Sequence, residues 1–555
     1  MRGVARFSVP LLATLVLTAC GGGGHDKLAS KVHGYNVSDQ PAPPAQQIFR
    51  RRLAMSPRTI DPTLATGIPA YNVVQDLFEG LVTLGPDGKI RPGVASSWDI
   101  SADGTTYTFH LRAGARWSNG QPVTAGDFVY AWRREVDPKT GAEYAQSFSP
   151  VVNANAIIDG KKPPDTLGVS AIDPHTLKVQ LTERTPYFLV MLYNDYCMPL
   201  YKPAVQKWGD AWTRPQHMVS NGPFKLTQWV INGHLTLSKN PYYWDASHVR
   251  LQREIDYPIS ERSSALSRYL ADDLDFVDEP AFPASDVKWL EKMLGKQVQV
   301  SPYYATAFLG MLVHKKPFDS RDLRLALTMV LNRKVLSNQL MGGLSLPAYS
   351  LFPPLPGYTQ HLPAWAHWSM QKRLATARRL YHQAGYSKAH PLKVELLYMT
   401  EGVQTRNYME AVVTMWNQAL GSDITLRNEQ WKVMLQDIQY HNADLYWSSW
   451  VGDYPAPYTF AQQFVKGFAM NYGSYDKPSY QTAVAAAIAA PDKASRYAAY
   501  GRGEDVLNHD VPFIPLYHYK AAELVKPYVA GVQPNVVALH LARYIWIRKH
   551  SVQGS

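Results

Sequence analysis

Cysteine is nearly missing from this chain. Cys20 and Cys197 are the whole supply in 555 residues, too few for a disulfide framework, and a chain of this length can bury large apolar cores instead. Long apolar runs are also scarce: past the N-terminus no stretch is long enough to cross a membrane as a helix. Nor is there a long run of lysine or arginine. The formal charge of +11 comes from 56 basic residues interspersed with 45 acidic ones, which describes a generally basic surface and not a nucleic-acid groove. Catalytic signatures are missing too, with no His-Glu-x-x-His metal helix and no Gly-x-Ser-x-Gly nucleophile elbow. The 17 histidines offer no i, i+4 pair in a clear helix, and His361 and His367 lie among prolines and tryptophans in an apparent loop. Scattered surface or core histidines are the simpler reading than a metal site.

What is present is a globular composition, 46% hydrophobic and 18% charged, enough chain for about three or four domains. Arg2 and Arg6 precede an apolar run from Phe7 to Leu17, which is too short to span on its own and reads as an export signal. It ends in Leu17-Thr18-Ala19-Cys20, which resembles the bacterial lipobox and implies cleavage before Cys20 and acylation of its sulfur. Residues 1–19 are then a lipoprotein signal peptide and 20–44 a flexible, lipid-anchored linker that opens with Gly21 to Gly24. Cys197, in the apolar setting Asn194-Asp195-Tyr196-Cys197-Met198-Pro199, is read as a packed thiol.

Further on, Phe49 to Ile60 reads as a short strand broken at Ser56-Pro57, and Asp103-Gly104 is a turn that feeds an alternating strand from Tyr107 to Leu111. Thr124 and Asp127 form an N-cap pair for a helix carrying Val129, Trp132 and Arg133. A helix through Leu323, Ala326, Leu327 and Val330 is expected to end near Gly342-Gly343, and another to run from Ser369 to Gly385. The segment Ala443 to Pro457 is an apolar and aromatic strand that stops at Asp453 and two prolines, since proline lacks a ladder N–H. Asp453 is either part of a plain turn or a lone carboxylate at a strand end facing a cleft.

Ser449-Trp450-Val451-Gly452-Asp453-Tyr454-Pro455-Ala456-Pro457 resembles the Gly-Trp-x-x-Asp-Tyr-x-x-Pro segment of the bacterial oligopeptide-binding proteins. The same resemblance continues through Ile60-Asp61-Pro62, Asp76-Leu77-Phe78-Glu79-Gly80-Leu81, Trp117-Ser118-Asn119-Gly120, Ser220-Asn221-Gly222-Pro223-Phe224 and Asn240-Pro241-Tyr242-Tyr243-Trp244. It covers roughly Asp61 to His550. The fold it implies is α/β, a periplasmic-binding-protein-like two-lobed clamshell with an additional third domain. In this chain lobe I would comprise 45–78, 204–304 and 520–555, domain II 79–203 and lobe III 305–519, with the chain crossing near Tyr304 and Tyr519.

The resemblance also implies function: capture of oligopeptides and their delivery to the permease subunits of an ABC importer, by a monomer outside the cytoplasm, in the periplasm or at the cell surface. No cofactor, metal, nucleic-acid partner or catalysis belongs to that reading. Carried over by position, Asp453 would receive the peptide's α-ammonium group, Trp450 and Trp431 would wall side-chain pockets, and Tyr144 would contribute from domain II. Thr66, Gly67 and Ile68 on one side and Ser449, Trp450 and Val451 on the other would pair with the peptide backbone. The places where relatives anchor the ligand's carboxylate fall on Met341, Gln404, Ile438 and Trp447, none of them cationic, and the family's disulfide positions fall on Ala305 and Val451.

Other solutes of the same fold stay open: a modified or cell-wall peptide, a nickel chelate, haem or a sugar. A remote alternative is serine acyl transfer of the penicillin-binding type. Ser369-Met370-Gln371-Lys372, Ser238-Lys239-Asn240 and Lys139-Thr140-Gly141 match its three signatures but in reversed order, and Ser369 reads as a helix cap.

Overall fold

A computed structural model of the chain describes residues 32–278, 282, 286–400, 403–468 and 470–553. The signal segment 1–19, Cys20 and the first part of the expected linker lie outside the described residues. Ten strands lie side by side in one sheet: Asp423–Glu429, Lys393–Met399, Leu445–Val451, Val298–Met311, Phe513–Val525, Phe276–Val277, Ile48–Leu53, Arg253–Pro258, His234–Lys239 and Phe224–Val230. Ser345–Pro347 pairs onto Phe513–Val525 as an eleventh.

The two strands in the middle of this order organise the molecule. Val298–Met311 and Phe513–Val525 are 14 and 13 residues long. Their antiparallel ladder runs from Val298↔Leu524 to Pro302↔Lys520, loses register, and resumes at Thr306↔His518. The break covers Tyr303, Tyr304 and Ala305, and a ladder interrupted in this way bends. On one side of it stand the strands from 224–277 and 48–53. On the other stand those from 393–451, where the helix Val403–Leu420 crosses between the parallel pair Lys393–Met399 and Asp423–Glu429.

The apolar cores follow the same division. Residues 42–251 together with Phe276, Tyr454 and 525–547 form one continuous cluster, 265–294 with Ala522 and Leu524 a smaller one, and the rest of 304–517 two more. Within 79–203 a separate antiparallel sheet, Ala95–Ile100, Thr106–Leu111, Thr176–Gln180 and Val169–Asp173, buries Tyr107, Phe109 and Leu111 on alternate positions. The helix Ala125–Val136 begins with the expected box, Thr124 N–H donating to Asp127 Oδ2 at 2.8 Å. It buries Phe128, Trp132 and Val136, and Trp132 Nε1–H donates to the carbonyl of Cys197 at 3.0 Å. Cys197 is buried, and burial pushes its thiol well above the usual range.

Two local expectations need correction. The flexible linker expected through residue 44 gives way at Tyr35, where Tyr35–Pro41 forms a strand paired antiparallel with Trp546–Val552, a partner far away in sequence. The helix Arg321–Val330 stops well before Gly342: Leu331 is extended, and Asn332 accepts from Val335 N–H to open a new short turn. The second helix, Met370–Gln383, is capped as expected, Ser369 Oγ accepting from Lys372 N–H at 3.3 Å.

Candidate functional site

The strand Leu445–Val451 pairs along one side with Val298–Met311, from Met311↔Leu445 to Ala305↔Val451. On its other side the pairing with Lys393–Met399 is the single position Leu397↔Tyr446. Beyond that pairing no other strand among the described residues covers the edge, so the stretch Ser448 to Val451 has no strand partner on that side. An exposed strand edge is a template for one more strand.

The end of this strand fixes Asp453. Gly452 N–H donates to the carbonyl of Tyr304 at 2.8 Å, and a Cβ on Gly452 would lie 2.5 Å from the Tyr304 ring, so only glycine permits this approach. After the prolines the short helix Tyr458–Ala461 returns Thr459 to the acid. The Thr459 hydroxyl donates to Asp453 Oδ2 at 3.2 Å while accepting from Asp453 N–H at 3.2 Å and from Trp450 Nε1–H at 3.1 Å. Residues of the 79–203 segment complete the corner. Tyr193 Oη and Asn194 Nδ2 donate to the carbonyl of Asp453 at 3.1 and 3.4 Å, and Tyr187 stacks on Tyr454 and Tyr458.

Asp453 opens into a cavity of about 520 Å³ at the ladder break, lined also by Gly67, Ile68, Tyr144, Tyr304, Ser449, Val451 and Tyr519. Its side chain reaches the water of the cleft, yet protein surrounds it on most sides. Desolvation therefore pushes its carboxyl up to about 6, against the opposing hydrogen bond from Thr459. Three further carboxylates line the same cavity: Asp195, Asp278 and Glu523. Arg52 donates to Asp278 at 3.0 Å, and His540 stands 2.8 Å from Glu523. Among the described residues no lysine, arginine or histidine lines the cavity.

A smaller cavity of about 190 Å³ adjoins it through Ser449 and is walled by Trp431, Trp450, Tyr446, Phe464 and Tyr472. Trp431 opens the helix Trp431–Gln439 and is 39% exposed, which sets it apart from a core tryptophan.

Of the residues singled out in the sequence, Asp453, Tyr144, Gly67, Ile68, Ser449 and Val451 meet in the large cavity, and Trp450 and Trp431 in the small one. Thr66 lines neither. Thr66 to Ile68 is also not a strand: Gly67 has φ 82°, and Ile68 is the first residue of the helix Ile68–Leu77. Met341, Ile438 and Trp447 are buried in the apolar core, and Gln404 donates to the carbonyl of Leu340. Ala305 and Val451 are cross-strand neighbours joined by the ladder. Sequence reasoning missed Asp195, Asp278 and Glu523. For Asp195 a signal existed, the polar pair Asn194-Asp195 inside an otherwise apolar run from Phe188 to Leu200.

Among the described residues no group of three or more His, Cys, Asp or Glu side chains is placed to hold a metal ion, and no helix is long and apolar enough to cross a membrane.

Residues 89–472 match a family model described as bacterial extracellular solute-binding proteins, family 5 Middle. The periplasmic oligopeptide-binding protein OppA of Salmonella typhimurium is 34% identical over 94% of this chain and 95% of its own length. The periplasmic murein peptide-binding protein MppA of Escherichia coli is 36% identical over 91% and 94%. Among solved structures, Haemophilus influenzae OppA in complex with RPPGFSPFR aligns with a TM-score of 0.76 and 34% identity, covering 93% of this chain and all of the other. The α/β, multi-domain, periplasmic-binding-protein-like fold expected from the sequence is the fold of these neighbours. In sequence and in fold alike, the chain belongs to the bacterial extracellular solute-binding proteins of family 5.

Proposed function

We propose that this protein captures oligopeptides outside the cytoplasm and hands them to the permease subunits of an ABC importer. One observation carries the reading: an acid with no cationic partner among the described residues stands at the end of a strand edge that no described strand covers, in a cavity whose described wall holds no cation. An extended peptide added along Ser449 to Val451 satisfies its backbone groups there, and its α-ammonium group meets Asp453. Gly67, Ile68 and Tyr144 face the same ligand from across the cleft, while Trp450 and Trp431 wall a side-chain pocket. Main-chain bonding is indifferent to ligand sequence, which supports broad specificity.

In this account lobe I (45–78, 204–304 and 520–555) and lobe III (305–519) close on the peptide by bending where the ladder breaks at Tyr303 to Ala305, and domain II (79–203) closes the Asp453 corner through Tyr193 and Asn194. The protein acts as a monomer, without catalysis, tethered to the membrane by lipid on Cys20 in the periplasm or at the cell surface. The names of its relatives, oligopeptide and murein peptide binders, support the ligand class. Anionic solutes such as haem, with its propionates, do not suit a wall of carboxylates.

Native mass spectrometry of protein purified without unfolding tests this directly. Retained masses that fragment as peptides are expected. Retention of a non-peptide solute, with no displacement by added oligopeptides, refutes the reading.

A further inference from the structure

The cleft has one more carboxylate than the α-ammonium group requires. Of the four that line it, Asp278 is ion-paired with Arg52, Glu523 is hydrogen-bonded to His540, and Asp453 is assigned to the peptide's amino terminus. Asp195 is left. It is 4% exposed, lines the cavity, and among the described residues has no cationic partner; its Oδ1 accepts from the neighbouring Tyr196 N–H at 2.9 Å. A buried carboxylate in this state is costly unless a cation arrives to pair with it. Burial accordingly pushes its carboxyl up to about 7. Burial also holds the nearby Glu135 carboxyl well above the usual range.

Asp195 stands at the same end of the cavity as Asp453. The adjoining residue Asn194 donates to the Asp453 carbonyl, and the phenols of Tyr144, Tyr193 and Tyr196, raised mainly by burial, are each raised further by both carboxylates. Tyr144 and Tyr196 stack with centroids 5.4 Å apart, and Tyr144 is 37% exposed, which gives a cation passing along this wall an aromatic face. Two unneutralised acids at one end of a cleft match a ligand end that carries two positive charges.

We propose, building on the peptide reading above, that Asp195 is a second cation site that takes the side-chain ammonium or guanidinium of the ligand's first residue while Asp453 takes its α-ammonium group. The protein then favours peptides that open with lysine, ornithine or arginine over those that open with an uncharged residue of equal length. This preference lies in Asp195 alone and is separable from peptide binding as such.

Calorimetry with Lys-Ala-Ala and norleucine-Ala-Ala, which differ only by the side-chain ammonium, decides the matter. Wild-type protein is expected to bind the lysine peptide about tenfold or more tightly, as befits a charge-assisted pair inside a cleft. In Asp195→Asn the two affinities converge to within about twofold, while Asp195→Glu, which keeps the charge, retains the preference. Equal wild-type affinities overturn the inference with no variant needed, and so does an unchanged preference in Asp195→Asn. Asp453→Asn is expected to weaken both peptides by the same factor. Binding of neither peptide by wild-type protein overturns the peptide reading itself and this inference with it.

Discussion

Lowering the pH from 7 to 5 should weaken a peptide with a free amino terminus by about tenfold, and the factor follows from Asp453. Its carboxyl sits at about 6 because the protein that surrounds it on most sides partly desolvates it, with Thr459 giving back only part of the loss. The ammonium group of the ligand pairs with the ionised form. About nine tenths of the acid is ionised at pH 7 and about one tenth at pH 5, so the competent population falls tenfold. The ligand's own amino group, at about 8, stays charged over this range and lowers affinity only at higher pH. Ala-Ala-Ala is the appropriate ligand, because Asp195, at about 7, titrates in the same window and adds to the fall for any peptide with a basic first side chain. Calorimetry at pH 5, 6 and 7 with Ala-Ala-Ala and its N-acetyl form is the assay. The free peptide should lose affinity toward pH 5 and the acetylated one should bind weakly at every pH. A flat profile for the free peptide, or tighter binding at pH 5, refutes the assignment of this carboxylate to the ammonium group.

Three further outcomes follow from the same geometry. Thr459→Val removes the hydroxyl that donates to Asp453 and accepts from Trp450; it should weaken free peptides by about tenfold and move the midpoint of the pH profile upward, and an unmoved midpoint contradicts the role given to Thr459. Gly452→Ala drives a methyl group to 2.5 Å from the Tyr304 ring and should cost about 1–3 kcal/mol of stability, read as a lowered denaturation midpoint. Cys20→Ser should release the protein from the membrane fraction or stall its processing, whereas an unchanged distribution and an unchanged N-terminal mass sink the lipid anchor.

Local signals reached about half of this site. The strand to Val451 stands out because an apolar and aromatic run with small residues stops at an acid and two prolines, and these are local facts of the chain. The Thr124 and Ser369 caps are local in the same sense. Asp195, Asp278 and Glu523 are different, since their meaning arises only when three distant segments converge on one cavity, and nothing near them in sequence says which acid will lack a partner. The strand Tyr35–Pro41 was hidden for the same reason, its partner being the C-terminal strand. Thr66 to Ile68 misled in the opposite way: residues suited to an extended backbone turn through Gly67 into a helix, because Pro69 fits its first turn. The net charge of +11 gave no hint of an acidic cleft, because it sums over a surface the ligand never meets.

The central claim is that Asp453 receives the amino terminus of a peptide, and a two-by-two calorimetric cycle tests it most directly: wild type and Asp453→Ala, each with one peptide in free and N-acetylated form. Breaking a desolvated charge-assisted pair costs about 2–5 kcal/mol, which is about 30-fold to a few thousand-fold in affinity. Either change alone should cost that much, and the two together should cost hardly more than one, since they remove the same interaction. Losses that simply add, or an acetylated peptide that binds wild-type protein as tightly as the free one, contradict the account.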